Sequence, residues 1–360
     1  MRHDWTKQDI LDIYNTPMME LLYRAATVHR EHHDPNTVQV STLLSIKTGG
    51  CPEDCGYCPQ AARYHTDIEG NDLMSVSHVK AQALRAKASG SSRVCMGAAW
   101  RNVKDGQEFD DVLEMVRTIN KLDMEVCCTL GMVTENQAKR LAEAGLYAYN
   151  HNLDTSEDYY KDVISTRAFQ DRLDTIDNVR KTNVTVCSGG IIGMGEKVED
   201  RAGMLVALAT LNPQPESVPI NALVAVEGTP MEDIEPISIW EMIRMVATTR
   251  IVMPQTQVRL SAGRTEMSRE GQAMCFFAGA NSIFAGDKLL TTPNPDVNED
   301  MKMFEMLGLI PQKPFVKKAQ PETVEASESE FSAQGEKPKW SRPGHVIERN
   351  QEAKQKAKQK

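Results

Sequence analysis

The chain has 360 residues and a formal net charge of −9, and its 41% hydrophobic and 25% charged residues are the ordinary balance of a globular protein. No apolar run approaches the roughly 18–20 residues that cross a bilayer, and the acidic balance argues against nucleic acid as a partner. The first residues hold early acids and no apolar stretch, so we expect neither a secretory signal nor a transit peptide.

The first 37 residues are expected to form a helical extension. Apolar residues from Leu11 to Val28 recur near helical spacing, and Pro17 interrupts them. A different pattern begins at Val38, which we take as the start of the main domain.

Residues 38–311 alternate between short apolar strands and amphipathic helices. The strands recur at intervals of roughly 25–50 residues, the length of a strand plus a crossover helix. Eight consecutive units favour a closed (β/α)8 TIM-type barrel of the α/β class over an open doubly wound sheet. The predicted strands are 40–46, 92–96, 125–130, 148–152, 184–188, 217–223, 257–261 and 282–285.

Helix start and stop signals support this alternation. Thr134 and Gln137 form a capping box before a helix that should stop at Gly145. Ser77 is predicted to cap a helix that ends at Gly90. Residues 312–360, by contrast, hold few large apolar side chains and many Lys, Gln, Glu and Ser, so we expect a disordered polar tail.

A cysteine loop gives the strongest chemical signal. Cys51, Cys55 and Cys58 follow the first predicted strand with C-x3-C-x2-C spacing, which in a barrel lies at the carboxyl face where active sites sit. Three thiolates on a tight loop can bind three corners of a cubane iron–sulfur cluster and leave the fourth iron open to a small molecule. A structural zinc site is the weaker alternative, because it usually needs two C-x2-C pairs.

This loop, with Tyr57 directly before its third cysteine, resembles the signature of the radical S-adenosylmethionine (SAM) superfamily. The resemblance implies a [4Fe–4S] cluster that binds SAM, contacts at Tyr57, and cleavage of SAM to a 5′-deoxyadenosyl radical. Such a radical is needed because an inert C–H bond has no useful acidity for a general base.

Three further cysteines fall within predicted strands. Cys95, Cys127 and Cys187 lie on the second, third and fifth strands, and their thiols converge if strand alternation aims them inward. Each could instead be an inert buried cysteine. Arg259 lies on the seventh predicted strand, where a lone buried arginine usually indicates an ion pair with a carboxylate.

From about residue 38 to 307 the chain resembles the biotin synthase family. The resemblance implies a [2Fe–2S] cluster held by Cys95, Cys127, Cys187 and Arg259, whereas Cys128 departs from the family pattern. A cationic arginine has no lone pair to give a metal, so its role comes from the resemblance alone. The matching segments are 95–100, 149–155, 186–190, 218–221, 258–264 and 278–284.

The same resemblance implies ligand contacts. Asn152 and Asp154 match contacts to the ribose of SAM, Asn152 also reaches the substrate, and Arg172 matches a contact suited to the SAM carboxylate. Asn221 matches a contact to the ureido ring of dethiobiotin, to which an amide offers one donor and one acceptor. His151 should face away from Asn152 by strand alternation and is expected to be structural.

The implied activity is the last step of biotin synthesis, in which dethiobiotin gains one sulfur between two saturated carbons. SAM would be consumed twice and the [2Fe–2S] cluster would donate the sulfur. The resemblance also implies a cytoplasmic homodimer and a flavodoxin-type electron donor. Two alternatives stay open: a related radical SAM barrel such as a methylornithine synthase or hydrogenase-maturation protein, and a non-catalytic iron–sulfur carrier or zinc-stabilised protein.

Overall fold

A computed structural model describes residues 1–286 and 288–314. Two helices, α1 (Lys7–Tyr14) and α2 (Met18–His32), precede the first strand. Thr6 begins α1 with a capping box, and Pro17 stands directly before α2, where a proline costs no intrahelical hydrogen bond. The break that the sequence shows at Pro17 therefore separates two helices.

Eight parallel strands form a closed barrel, and four further short strands accompany it in the described part of the chain. In chain order the strands are β1 (Thr37–Lys47), β2 (Arg93–Ala98), β3 (Glu125–Thr129), β4 (Ala148–Asn150), β5 (Thr185–Cys187), β6 (Gly190–Ile192), β7 (Ser217–Ala222), β8 (Gln257–Leu260), β9 (Ser282–Ala285), β10 (Lys288–Leu289), β11 (Thr292–Pro293) and β12 (Ile310–Pro311). The barrel order is β1-β2-β3-β4-β5-β7-β8-β9, and β9 pairs back with β1. The predicted (β/α)8 barrel is confirmed, with several strands one or two residues shorter than expected.

Helices cover the outside of the barrel. The remaining helices are α3 (Val76–Ala88), α4 (Gln107–Asn120), α5 (Glu135–Glu143), α6 (Tyr160–Val163), α7 (Phe169–Arg180), α8 (Val198–Ala209), α9 (Ile239–Val252), α10 (Arg269–Phe277) and α11 (Val297–Leu307). Their apolar faces and the outward side chains of the strands form one continuous core.

One of the two predicted helix caps is found in the structure and the other is not. Thr134 forms the predicted capping box of α5, and Gly145 follows that helix with φ 93°. The prediction for Ser77 was wrong, because Ser75 has the extended backbone of a cap residue and its side chain accepts a hydrogen bond from the His78 amide. Ser77 lies in the first turn of α3.

The fifth barrel strand is split into β5 and β6. β5 ends at Cys187, and β6 resumes pairing with β7 at Gly190. Between them, a Cβ atom at Gly189 would lie 2.0 Å from the carbonyl oxygen of Pro219, so only glycine allows the two backbones to approach so closely.

The remaining short strands lie near the ends of the barrel. β10 and β11 form a small antiparallel ribbon, and β12 pairs in parallel with the start of β1. Residues 315–360, most of the predicted tail, lie outside the described residues, and the division of the chain at 37/38 and 311/312 stays a prediction. Within the described ranges, every helix falls short of the length and apolarity needed to cross a bilayer.

Candidate active site

The carboxyl ends of the barrel strands surround a cavity of about 320 Å³, a volume within the range of small-molecule sites. The structure brings nearly all of the predicted site residues to this one cavity. Those that line it are Cys51, Cys55, Tyr57, Cys58, Cys95, Cys127, Asn152, Asp154, Arg172, Asn221 and Arg259.

The cysteine loop after β1 is closed by its own backbone. The Cys51 amide donates to the Gln60 carbonyl at 3.0 Å, and the Ala62 amide donates back to the Cys51 carbonyl at 2.7 Å. The Gly56 amide reaches out of the loop to the Val163 carbonyl at 2.9 Å. The loop is therefore folded on itself and tied to the end of α6.

Two acids inside the loop strengthen this connection. Asp54 accepts hydrogen bonds from the amides of Ser165 at 2.9 Å and Thr166 at 3.0 Å. Burial alone would raise the pKa of Asp54, but hydrogen bonds from Ser165 and Thr166 outweigh it and lower the pKa to about 2. Glu53 accepts from the Thr166 hydroxyl and lies 3.0 Å from Nη1 of Arg101. Both carboxylates hold the loop against the segment after α6.

The loop thiols suit a cluster better than a single ion. Burial raises the pKa of Cys55 to about 11 and that of Cys58 to about 12, so a bound metal would have to convert these thiols to thiolates. In the described part of the chain, no three His, Cys, Asp or Glu side chains approach closely enough to hold one ion. In a cubane each thiolate binds a separate iron, so wider spacing is compatible with that group.

The second group of thiols lies deeper in the barrel. Cys95 and Cys127 are register partners on β2 and β3. A hydrogen bond from Cys127 lowers the pKa of Cys95 to about 7, with Arg259 and Arg93 also favouring the thiolate, and the same bond raises the pKa of Cys127. These thiols therefore share a cationic environment.

Cys187 lies just beneath the cavity wall and is fully buried. Its sulfur accepts hydrogen bonds from Nδ2 of Asn150 at 3.3 Å and from Nη1 of Arg259 at 3.8 Å. Electrostatic interactions also link the Cys187 thiol to Cys95 and Cys127. The three strand cysteines and Arg259 thus form one cluster of side chains.

Arg259 has an unusual set of partners. Its Nε donates to Ser282 at 2.9 Å, its Nη2 donates to Gln39 at 2.9 Å, and its guanidinium lies 4.5 Å from the centre of the Phe284 ring. Among the described residues no carboxylate pairs with it, so the ion pair that is usual for a lone buried arginine does not form here. Nearby, Gln39 Nε2 is buried and has no hydrogen-bond partner within the described ranges. A buried cation and an unused donor fit an anionic sulfide-containing group.

The residues predicted to contact SAM form one hydrogen-bonded unit. Tyr57 donates to Oδ2 of Asp154 at 2.9 Å, which joins the cysteine loop to the end of β4. Arg172 donates to the same oxygen, to the Asn152 carbonyl at 2.7 Å, and through Nε to the Tyr160 hydroxyl at 2.8 Å. Asp154 has φ 69°, a conformation that Asp tolerates better than most residues.

Asn221 is held in one orientation. Its Nδ2 donates to the Gly190 carbonyl at 2.9 Å, and its Oδ1 accepts from the Ala262 amide at 3.1 Å. Each bond uses only part of the capacity of the amide, which has two donors and two acceptor lone pairs. Asn221 can therefore still offer one donor and one acceptor to a ligand in the cavity.

Sequence reasoning missed two residues at the cavity. His151 lines it, contrary to the prediction, because β4 ends at Asn150 and strict strand alternation ends there too. Burial lowers the pKa of His151, with Arg172 and Arg167 adding to the effect, so the ring is neutral. Arg167 also lines the cavity, and no motif in the sequence had marked it.

Comparisons with known proteins match this site. Residues 45–208 match the family model of the radical SAM superfamily, and residues 219–310 match that of the Biotin and Thiamin Synthesis associated domain. Biotin synthase of Christiangramia forsetii is 84% identical over 360 residues, all of this chain and 99% of that protein. The chain belongs to the biotin synthase family. Within this family, biotin synthase of Aeromonas hydrophila is 56% identical over 93% of this chain and 92% of its own.

Membership in the biotin synthase family makes the chain a radical SAM enzyme of biotin synthesis, and SAM and iron–sulfur clusters follow from it. Solved structures support the fold alone. A methylornithine synthase superposes with a TM-score of 0.71 and 18% identity, covering 86% of this chain and 94% of that one. The FeFe-hydrogenase maturase of Carboxydothermus hydrogenoformans superposes with a TM-score of 0.73 and 15% identity, covering 88% of this chain and 77% of that one. The shared fold does not distinguish this chain from those two enzymes. The sequence relatives assign it to the biotin synthase family.

Proposed function

We propose that the barrel cavity converts dethiobiotin to biotin, with a [4Fe–4S] cluster on Cys51, Cys55 and Cys58 and a [2Fe–2S] cluster on Cys95, Cys127, Cys187 and Arg259. One observation carries the proposal: the loop thiols line the same cavity as Cys95, Cys127 and Arg259, and Arg259 donates to the sulfur of Cys187. Amide and acid side chains suited to SAM and a cyclic urea line it as well.

The cysteine loop would place SAM. When bound, the [4Fe–4S] cluster supplies the electron that splits SAM and so provides a radical able to remove hydrogen from unactivated carbon. Tyr57 and Arg172 hold the Asp154 carboxylate, which can then accept hydrogen bonds from the ribose hydroxyls. Arg172 also fixes the backbone of Asn152, so one guanidinium orients both proposed contacts.

The strand cysteines would hold the sulfur source. When bound, the [2Fe–2S] cluster supplies the inserted sulfur atom. Arg259 would balance its negative charge, since the guanidinium lies beside Cys187 and lacks a carboxylate partner in the described residues. Ser282 and Gln39 fix the orientation of Arg259.

Asn152 and Asn221 would orient dethiobiotin between the two thiol groups. The Asn152 Oδ1 accepts from the Gly189 amide at 3.2 Å, and both bonds of Asn221 are to backbone groups. Because the backbone fixes both amides, their remaining donors and acceptors are preorganised for a ureido ring. On the basis of the family resemblance, the proposal also includes a flavodoxin-type electron donor, assembly as a homodimer and a cytoplasmic location.

Anaerobic reconstitution tests the proposal. Iron and sulfide analysis should find two kinds of cluster, and incubation with dethiobiotin, SAM and a reductant should yield biotin and 5′-deoxyadenosine. Zinc without labile sulfide would instead indicate a structural metal site.

Two substitutions separate the roles of the clusters. Cys55→Ala should abolish 5′-deoxyadenosine formation, and output equal to wild type would contradict its role. Cys187→Ala should keep the first cluster but stop biotin formation. Cys275→Ala is a matched control, because Cys275 is buried in the outer core away from the cavity and its loss should leave both products.

A further inference from the structure

Arg167 is a buried cation whose hydrogen-bonding capacity is largely unused. Its side chain is 8% exposed and lines the active-site cavity. In the described residues neither its Nε nor its Nη1 has a hydrogen-bond partner. The acid beside it, Glu53, lies 3.9 Å from Nε, too far for a hydrogen bond. Buried donors without partners are costly, so this arrangement indicates a missing acceptor.

The neighbouring arginine makes the contrast clear. Each of the three guanidinium nitrogens of Arg172 already donates to a protein acceptor. Both arginines have buried side chains and line the same cavity. Of these two arginines, Arg167 is therefore the one whose guanidinium still has unpartnered hydrogen-bond donors.

The missing acceptor lies toward the cysteine loop. Thr166, the residue before Arg167, donates from its backbone amide to Asp54, the residue before Cys55. These contacts bring Arg167 against the loop rather than toward solvent. Its Nε lies 3.9 Å from Glu53, two residues before Cys55, and its side chain lines the cavity together with Cys51 and Cys55. The unpartnered donors of Arg167 therefore lie on the same side of the cavity as the loop thiols.

We propose that Arg167 is a positioning residue that donates hydrogen bonds to the Cys55 thiolate and thereby makes the cluster on this loop easier to reduce. The inference rests on the proposed assignment of Cys51, Cys55 and Cys58 as cluster ligands. Reduction adds one negative charge, and a nearby cation and N–H donors stabilise the more negative form. The carboxylate of Glu53 lies beyond hydrogen-bond reach of Nε, so the planar guanidinium keeps several donors for the loop sulfur.

The test is the midpoint potential of the [4Fe–4S] cluster in the reconstituted full-length protein without SAM. An anaerobic dithionite titration, followed by the electron paramagnetic resonance signal of the reduced cluster, measures it directly. Arg167→Gln removes the charge and should lower the ratio of reduced to oxidised cluster at a fixed potential by about tenfold, equivalent to about 59 mV for one electron. A midpoint equal to wild type would overturn the proposal.

Arg167→Lys covers the case in which the Gln variant fails to fold or assemble. Lysine keeps the charge but lacks the planar set of guanidinium donors, so we expect a smaller fall, about threefold in the same ratio. An unchanged midpoint in the Lys variant would also count against hydrogen bonding by the guanidinium.

Arg63→Gln is the matched control. Arg63 pairs with Asp54 of the same loop at 3.4 Å, but its side chain is 51% exposed and does not line the cavity. Its loss removes the same charge and should leave the ratio of reduced to oxidised cluster at a fixed potential within twofold of wild type. An equal shift in both variants would show a diffuse charge effect and refute the specific role of Arg167. Absence of any [4Fe–4S] cluster in the wild-type protein would instead refute the proposed function, so the two failures are distinguishable.

Discussion

Cys127 and Cys128 are consecutive residues of β3, and their thiols lie on opposite faces of the barrel wall. Cys127 lines the cavity beside its register partner Cys95, whereas Cys128 packs in the outer core between strands and helices. Successive side chains of a strand point to opposite faces, so one residue of difference separates the cavity from the core.

This relationship predicts opposite results for two similar substitutions. Cys127→Ala should remove the thiol that we propose as a ligand of a [2Fe–2S] cluster, halt biotin formation and leave SAM cleavage in place. Cys128→Ala should retain both activities and lose only packing, about 1 kcal/mol of unfolding free energy. Sulfide content, biotin and 5′-deoxyadenosine measured in parallel check the pair. Biotin formation by the Cys127 variant would exclude that thiol as a necessary ligand.

Asp54 gives a second prediction. Asp54→Asn exchanges a carboxylate that accepts from the Ser165 and Thr166 amides for a neutral amide, and charge-assisted bonds of this kind contribute about 1.5–3 kcal/mol. We expect a fall of about 2 kcal/mol in unfolding free energy and faster loss of iron from the loop. Urea unfolding and iron release to a chelator measure the two effects.

The control for Asp54 is its ion-pair partner Arg63. The pair is partly exposed on the Arg63 side, and exposed pairs contribute at most about 1 kcal/mol. Arg63→Gln should therefore change stability by less than half as much. If both variants lost equal stability, the surface ion pair rather than the amide contacts would be holding the loop.

The barrel could be predicted from sequence because its strands and helices carry local signals. Short apolar runs at regular intervals, and a capping box at Thr134, fixed the order of the elements before any contact was known. The split between β5 and β6 could not be predicted, since it depends on how closely Gly189 approaches Pro219, a residue distant in sequence. The cap at Ser75 was missed because two serines two positions apart carry the same signal.

The candidate site likewise contains some residues that could be predicted from the sequence and others that could not. The cysteine loop could be recognised because its three cysteines lie within eight consecutive residues. Arg259 could not be assigned from composition, because what distinguishes it is its neutral partners on β1 and β9. His151 and Arg167 were missed because their positions depend on where β4 ends and how the segment after α6 packs on the loop.

Tyr57 gives a third prediction. Tyr57→Phe keeps the ring of the loop but removes the 2.9 Å hydrogen bond to Asp154, leaving that carboxylate to Arg172 alone. We expect affinity for SAM to fall by about tenfold, since a hydrogen bond to a charged group contributes about 1.5–3 kcal/mol. Equilibrium binding of SAM to the reconstituted protein measures the change, and cluster content should stay at the wild-type level. Unchanged affinity would show that Arg172 suffices to orient Asp154.

The final prediction concerns stability and pH. His29 on α2 is buried, and its Nδ1 has no hydrogen-bond partner in the described structure. Burial, with Arg250 and Arg30 adding to it, lowers the pKa of His29 from 6.5 to about 3. Below pH 6.5 the unfolded chain therefore binds a proton at His29, whereas the folded chain keeps this ring neutral. The unfolding free energy linked to His29 is fully present above pH 6.5 and declines as the pH falls toward 3.

His29→Phe removes this titration while keeping a flat ring at the same position. Between pH 7.5 and 5.5 the wild-type chain should lose about 1.4 kcal/mol more unfolding free energy than the variant, one pKa unit of proton binding. Urea unfolding of the cluster-free chain at both pH values measures the difference. Comparison of slopes cancels any constant packing effect of the phenyl ring, as well as the contribution of His151, which both proteins retain. Parallel pH profiles would show that His29 binds a proton in the folded state.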